Sequence, residues 1–423
     1  MRKPLPTAAA LAALALLTGG AAQAQSSPWY LGLSQSFSSQ SNMLRLADGA
    51  VTPAGLSKKD SVSTTSLVGG LDQLLGRQRL NASLALRDER YDKNSTYDNQ
   101  GWTLAAGLEW QTIERFSGSV NLASSRQLSS FGLTQIGSLD RRNLQTSNSL
   151  DTVWRLGIAG PWAVELGLGQ VKVDNSLDED SVRSRNYRQE SASLGARWRP
   201  SALLTTSLSL RKTQGRYPEF QRLADGSFQT DRFDREDLSL AASWLASGAS
   251  TLDLRLSQGR TRYEIASDRN FSGITGSLGW RWSASPKLTL NTRLARETGQ
   301  DSFAVTVFDR NLGFVPGAAD YSRTATSLRL RADWAPTAKL GLNATAVYAD
   351  RDIVRTLPPG AFGTRQTTGN ERSTQFQIGA RWVPMRSLSL GCDLSSESRR
   401  GAGVLGSNLK SDGWSCFAQF VLQ

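Results

Sequence analysis

From Pro28 onward the chain alternates apolar with polar or small positions at a period of two. Trp102, Leu104, Ala106, Leu108 and Trp110 take one set of alternate positions, and Thr103, Ala105, Gly107 and Glu109 take the other. Leu150, Thr152, Trp154, Leu156 and Ile158 repeat the pattern around Arg155 and Gly157. After the turn at Gly160-Pro161, Trp162, Val164, Leu166 and Leu168 repeat it around Glu165 and Gly167. It recurs at Leu204 to Leu210, Leu238 to Trp244, Leu252 to Leu256, Leu278 to Trp282 and Leu288 to Leu294. Further copies run from Leu328 to Trp334, Leu340 to Ala346, Phe376 to Trp382 and Leu388 to Leu394. Side chains of a strand point to opposite faces in turn, so each segment reads as a strand with one apolar face; helical spacing fits none of them. The pattern predicts about 18 strands (16–20) of roughly 10–14 residues, the length a tilted membrane-crossing strand needs.

Connection lengths alternate too. Short links carry Pro beside tryptophan, at Trp198-Arg199-Pro200, Trp282 to Pro286, Trp334-Ala335-Pro336 and Trp382-Val383-Pro384. Long polar links are expected at Ser39 to Asp60, Phe131 to Asn143, Tyr217 to Asp234, Asp301 to Ser322 and Val354 to Glu371. Short periplasmic turns and long extracellular loops are the asymmetry of an outer-membrane barrel. The expected fold is therefore all-β, a transmembrane antiparallel up-and-down β-barrel. Trp110, Trp154, Trp198, Trp244, Trp282, Trp334 and Trp382 each close a strand before a short turn. Indole prefers the membrane–water interface, so these seven are the expected interfacial girdle. A propeller also repeats a tryptophan at about 40–50 residues, but its blades hold four short strands where this spacing holds two long ones.

Residues 1–24 read as a signal peptide, with Arg2 and Lys3 ahead of an apolar run from Ala8 to Leu17 and Ala22-Gln23-Ala24 before cleavage between Ala24 and Gln25. Residues 25–423 are then the barrel, exported to the outer membrane of a Gram-negative cell. No later stretch has the roughly 18 or more apolar residues of a transmembrane helix.

Composition narrows the chemistry. The 423 residues include no histidine and two cysteines. That removes Ser-His-Asp catalysis and almost all zinc and copper sites, and two thiols fall short of an ordinary iron–sulfur cluster. No catalytic, metal or cofactor site is expected, and no enzyme. A hydrolase would need an all-carboxylate or Ser-Lys site, and no such constellation stands out. Net charge is +12, but the basic residues are spread around the strands without a DNA-binding motif, so nucleic acid is not an expected partner.

Cys392 and Cys416 lie in the last two strands on the apolar-patterned face. A hairpin folded about Val404 sets them directly opposite, within disulfide reach. The alternatives are a structural disulfide and two lipid-facing thiols. Cys416, Ala418, Phe420 and Leu422 alternate to the terminus as in a closing strand that the barrel-insertion machinery reads, although the chain ends on Gln423 and not on an aromatic residue.

By alternation the other face lines the interior. It carries Arg87, Arg155, Arg197, Arg211, Arg255, Arg281, Arg293, Arg329, Arg331 and Arg381, against Glu109, Glu165, Asp253, Asp333 and Asp393. The expected excess of basic over acidic groups, about two to one, suits an electropositive conduit, since Arg keeps its charge and offers a bidentate fork to carboxylate or phosphate. The competing reading is a set of Arg–carboxylate ladders that only satisfies a polar interior.

Arg211-Lys212-Thr213-Gln214-Gly215-Arg216-Tyr217-Pro218 ends a strand that follows Gly195-Ala196-Arg197-Trp198-Arg199-Pro200-Ser201, and Arg87 to Tyr97 reads RDERYDKNSTY. In these segments the chain resembles a β-barrel porin family, and within it the EpsL-type outer-membrane proteins associated with exopolysaccharide biosynthesis. The resemblance implies export of a polysaccharide across the outer membrane, an anionic one given the arginines. The partners expected are outer-membrane lipid, that polymer and a periplasmic export partner. Two other classes stay open: an anion-preferring diffusion or uptake porin, whose constriction would come from Asp301 to Ser322, and a structural or adhesive barrel that works through its loops.

Overall fold

Each period-two segment is a strand of one antiparallel sheet that closes on itself. The structure is a computed structural model and describes residues 27–113, 115–129, 141–157, 160–223, 225–298, 322–360, 363–403 and 408–423. The expected signal peptide and its cleavage site, the Asp301 to Tyr321 stretch and Val404 lie outside them.

The strands are β1 (Trp29–Gln40), β2 (Asp60–Leu75), β3 (Gln78–Tyr91), β4 (Asn99–Gln111), β5 (Phe116–Leu128) and β6 (Leu144–Leu156). Next come β7 (Trp162–Asn175), β8 (Tyr187–Trp198), β9 (Leu204–Arg222), β10 (Phe228–Ser247), β11 (Ser250–Tyr263) and β12 (Phe271–Ser285). The last six are β13 (Leu288–Glu297), β14 (Ser322–Trp334), β15 (Leu340–Gly360), β16 (Gly363–Met385), β17 (Leu388–Gly403) and β18 (Leu409–Leu422). A single α-helical turn, α1 (Asp180–Arg183), joins β7 to β8. All 18 strands form one sheet, and β1 pairs with both β2 and β18. Closure leaves no open edge, the condition for a strand structure to cross a bilayer.

The outward face is a band of exposed leucine, with Leu33, Leu67, Leu84, Leu122, Leu166, Leu194, Leu210, Leu240, Leu278, Leu294, Leu330 and Leu394 all open to the surroundings. Ten of the twelve tryptophans, the expected seven together with Trp29, Trp162 and Trp280, lie near the short-turn rim, and Trp102 and Trp414 lie toward the other. Hydrophobic surface turned outward over the whole wall, under an indole rim, is the inverse of a soluble core and the pattern of an outer-membrane barrel.

Two expectations about the long-loop rim are corrected. Tyr217 to Asp234 is strand on both sides of a short link, with β9 running to Arg222 and β10 starting at Phe228. Likewise β15 runs to Gly360 and β16 starts at Gly363, inside the expected Val354 to Glu371 loop. Strands accordingly span 10 to 23 residues, not 10–14. Beyond the apolar band neither face is bound to lipid, so these extensions mix polar residues with scattered aromatic and aliphatic ones and carry no sustained apolar alternation to read.

Cys392 and Cys416 are directly opposite in the β17–β18 register and bonded to each other. Their side chains share the outward face with Leu394 and Phe420, so the bond staples the closing hairpin on its lipid-facing side.

Candidate functional site

Because neighbours in register share a face, the outward leucines assign every strand. Arg87, Arg155, Arg197, Arg211, Arg255, Arg281, Arg293, Arg329, Arg331 and Arg381 lie on the inner face, as do Glu109, Glu165, Asp253, Asp333 and Asp393. Among the described side chains the same face also holds Asp60, Asp72, Glu89, Asp151, Asp237, Glu297, Glu371 and Glu397, with four further arginines, Arg79, Arg235, Arg351 and Arg399. The two-to-one basic excess therefore falls to near parity around the whole wall. All of these added acids but Asp151 lie outside the plainly alternating segments, where the face of a residue is hard to read; Asp151 lies within one, beside Leu150.

Charge is instead unevenly distributed. Many inner groups form ladders: Glu165 accepts from Arg155 at 2.9 Å and pairs with Arg197 at 2.5 Å, Arg79 forks onto Asp72 at 2.7 and 2.9 Å, and Arg331 onto Asp333 at 2.7 Å. Arg235 forks onto Asp237 at 2.8 and 2.9 Å, with both side chains 8% exposed. Arg211, Arg255, Arg281 and Arg329 have no carboxylate within ion-pair distance among the described residues, and all four are exposed on the inner face. Arg293, paired with Glu297 at 3.1 Å, sits directly opposite Arg329 in the β13–β14 register. Like charges directly opposed repel, so this wall, from β9 to β14, is held cationic against its own electrostatics.

The wall from β4 to β7 is built differently. Inward positions of β4 to β7 are mostly small: Thr103, Ala105 and Gly107; Ser117, Ser119, Asn121, Ala123 and Ser125; Ser147 and Ser149; Gly167 and Gly169. Glycine also lets longer side chains lie flat. Asp151 rests over Gly169 and Asp393 over Gly379, each directly opposite its partner, where an added Cβ would come within 2.7 and 2.1 Å of the carboxylate oxygen. Short or flattened side chains on the described wall leave space inside it, as a barrel of 18 strands allows.

At the long-loop rim the connection between β1 and β2, residues 41–59, crosses the inner side of the mouth. Asn42 donates to the Lys410 carbonyl at 3.2 Å, and Ser57 N donates to Asn94 Oδ1 at 2.7 Å. Met43 and Leu44 pack on Tyr97 of the β3–β4 connection, which is fully buried. Arg45 pairs with the inward Glu397, ending an alternating chain in which Arg399 bridges Glu397 at 3.4 Å and Glu371 at 3.3 Å, and Arg351 holds Glu371 at 3.1 Å. The sequence pattern offers Asp301 to Ser322 as the inward loop, nearly all of which lies outside the described residues. For residues 41–59 it gives a long polar link but not its inward docking, because partners such as Glu397 and Lys410 are distant in the chain.

Another docked segment surrounds α1. Arg183 pairs with Glu219 and with Asp178 at 2.5 Å, and its guanidinium lies 4.7 Å from the Phe228 ring centre. Glu219 stands on the part of β9 beyond the apolar band, and the hydrogen bond from Arg183 holds its carboxyl below the usual range. No cluster of metal-ligating residues occurs among the described residues.

No protein-family model matches the chain, and no curated protein matches it. Among solved structures, it is similar to OpdL of Pseudomonas aeruginosa, 14% identical over 93% of this chain and 98% of that one, with a TM-score of 0.44. It is similar also to OpdK of Pseudomonas aeruginosa, solved with vanillate, at 12% identity over 93% and 98% of the two chains and a TM-score of 0.45. A third similar structure is the siderophore receptor PirA from Acinetobacter baumannii, at 9% identity over 95% of this chain and 81% of that one, with a TM-score of 0.43.

Proposed function

We propose that the protein is a water-filled outer-membrane channel that prefers anionic solutes. The observation that carries the reading is the exposure of Arg211, Arg255, Arg281 and Arg329 on the inner face without ion-pair partners among the described residues. Desolvated or laddered arginines satisfy a plugged interior; exposed ones, in a barrel whose β4–β7 wall carries mostly small side chains, leave their field in a solvent-filled passage. Such a field lowers the barrier for anions entering the low-dielectric bore. Residues 41–59 narrow the mouth and would set its size limit.

The test is single-channel conductance in planar bilayers, with selectivity taken from the reversal potential in a salt gradient. An open channel selective for chloride over potassium is expected, and replacing the four arginines by glutamine should carry the reversal potential toward zero. A silent channel, or one with unaltered selectivity in the variant, overturns the reading.

The finer reading is export of an acidic exopolysaccharide, favoured by the likeness of Arg211 to Pro218 and its flanking strands to EpsL-type proteins. On that reading the same arginines would screen successive carboxylates of a sliding chain. Concentration-dependent block of the current by an acidic oligosaccharide, absent with a neutral one of equal length, separates it from a general anion porin.

A further inference from the structure

The outward face carries a second cationic feature, unrelated to the passage. Lys172 of β7 is directly opposite Arg188 of β8, Arg188 is directly opposite Arg216 of β9, and Arg216 is directly opposite Arg232 of β10. Their parity is that of the exposed Leu168, Leu194, Leu210 and Leu240, so all four point away from the barrel. With strands spaced about 4.8 Å apart, the row is about 14 Å long. Lys172 holds Asp174 at 2.8 Å and Arg188 holds Glu190 at 3.4 Å. Arg216 and Arg232 are exposed and have no ion-pair partner among the described residues; the neighbouring Asp234 accepts from Gln214 at 3.0 Å. Like charges in register cost stability, and here four adjoin.

Height identifies what would offset that cost. The outward apolar positions end at Leu168, Ala192, Leu210 and Leu238, and the row stands four to six residues past them, toward the long-loop rim. At about 3.3 Å per residue on strands tilted by roughly 40°, the backbone of the row is about 10–15 Å above the last apolar positions. Long Lys and Arg side chains reaching back toward them enter the headgroup layer, which extends about 5–8 Å from the hydrocarbon. A second copy of the chain is a poor occupant, because a two-fold contact would set the row against itself.

We propose that Lys172, Arg188, Arg216 and Arg232 form a binding site for the headgroup of an outer-leaflet glycolipid bearing more than one phosphate. Arginine grips phosphate through parallel charge-assisted hydrogen bonds, and a row this long accepts two phosphates at once. The site lies outside the wall and stands whether or not the barrel conducts anions.

Native mass spectrometry of the detergent-solubilised full-length protein, titrated with diphosphoryl lipid A, monophosphoryl lipid A or inorganic phosphate, tests it. The wild type should bind the diphosphoryl form roughly tenfold or more tightly than the monophosphoryl form. The variant with all four residues changed to glutamine should lose that difference, while a control with Arg260→Gln and Arg262→Gln on β11 should keep it. Should the fourfold variant fail to fold, Arg216→Gln with Arg232→Gln serves in its place. Equal binding by wild type and variant, equal loss in the control, or displacement of the lipid by equimolar inorganic phosphate overturns the assignment.

Discussion

Tyr30 and Gly70 face each other directly across β1 and β2, and the phenol ring lies so close over the glycine that an added Cβ would sit 2.3 Å from the ring. The arrangement recurs on the inner face with Phe233 over Gly215 and Phe417 over Gly391. A ring laid across a glycine covers backbone that glycine leaves bare and keeps the aromatic off the central space. Gly70→Val should therefore destabilise the barrel by roughly 1–3 kcal/mol, the usual cost of overpacking. Thermal loss of β-sheet circular dichroism measures it. Tyr30→Ala in the same chain should recover most of the loss, and strictly additive effects would show that the two do not share one space.

The disulfide between Cys392 and Cys416 spans a sequence separation of 24 residues in the closing hairpin. Constraining a loop of that length in the unfolded chain is worth about 3 kcal/mol in the chain-entropy account. Cys392→Ala with Cys416→Ala should lower the denaturant midpoint without altering channel selectivity, because both side chains face outward. Alkylation of unreduced wild-type protein should label neither residue; labelling of both under those conditions would remove the staple.

Glu371 is 1% exposed and holds Arg351 and Arg399, the latter 2% exposed. Glu371→Ala leaves a buried guanidinium short of its counter-charge, which costs about 3–5 kcal/mol where such pairs have been broken. Since Arg399 also bridges Glu397, the partner of Arg45, proteolysis within residues 41–59 should accelerate in this variant. Unchanged cleavage would mean that the loop is held by Asn42, Asn94 and its apolar contacts alone.

The docking of the α1 segment should depend on pH through Glu219. Its carboxyl titrates below the usual range in the folded state because Arg183 hydrogen-bonds the charged form. The stabilisation is thus complete above the unfolded carboxylate value and is lost as pH falls through the lower folded one. The protection factors of the Ser184 and Asn186 amides, with exchange corrected for its intrinsic pH dependence, should fall over that acidic window, and Arg183→Gln should give the low protection already at neutral pH. A pH-independent protection factor in the wild type contradicts this.

Much of the architecture was legible before any coordinates. A strand's side chains alternate with a period of two, and a bilayer demands apolar groups on one of the two faces, so a single outward leucine sets the parity of its whole strand. That is why the number of strands to within a hairpin, the antiparallel barrel and the assignment of residues such as Arg211 or Glu165 to the non-apolar face follow from the order of amino acids alone. The signal fades where the membrane ends, and the polar extensions of β9, β10, β15 and β16 read as loops for that reason. Tertiary structure alone decided what depends on the register between strands. It opposes Arg293 to Arg329 and aligns Lys172, Arg188, Arg216 and Arg232. It also lays Tyr30 on Gly70 and carries Arg45 to Glu397. Such pairs join residues distant in sequence, and their proximity is set by strand stagger around the closed sheet, a quantity that no local pattern of residues contains.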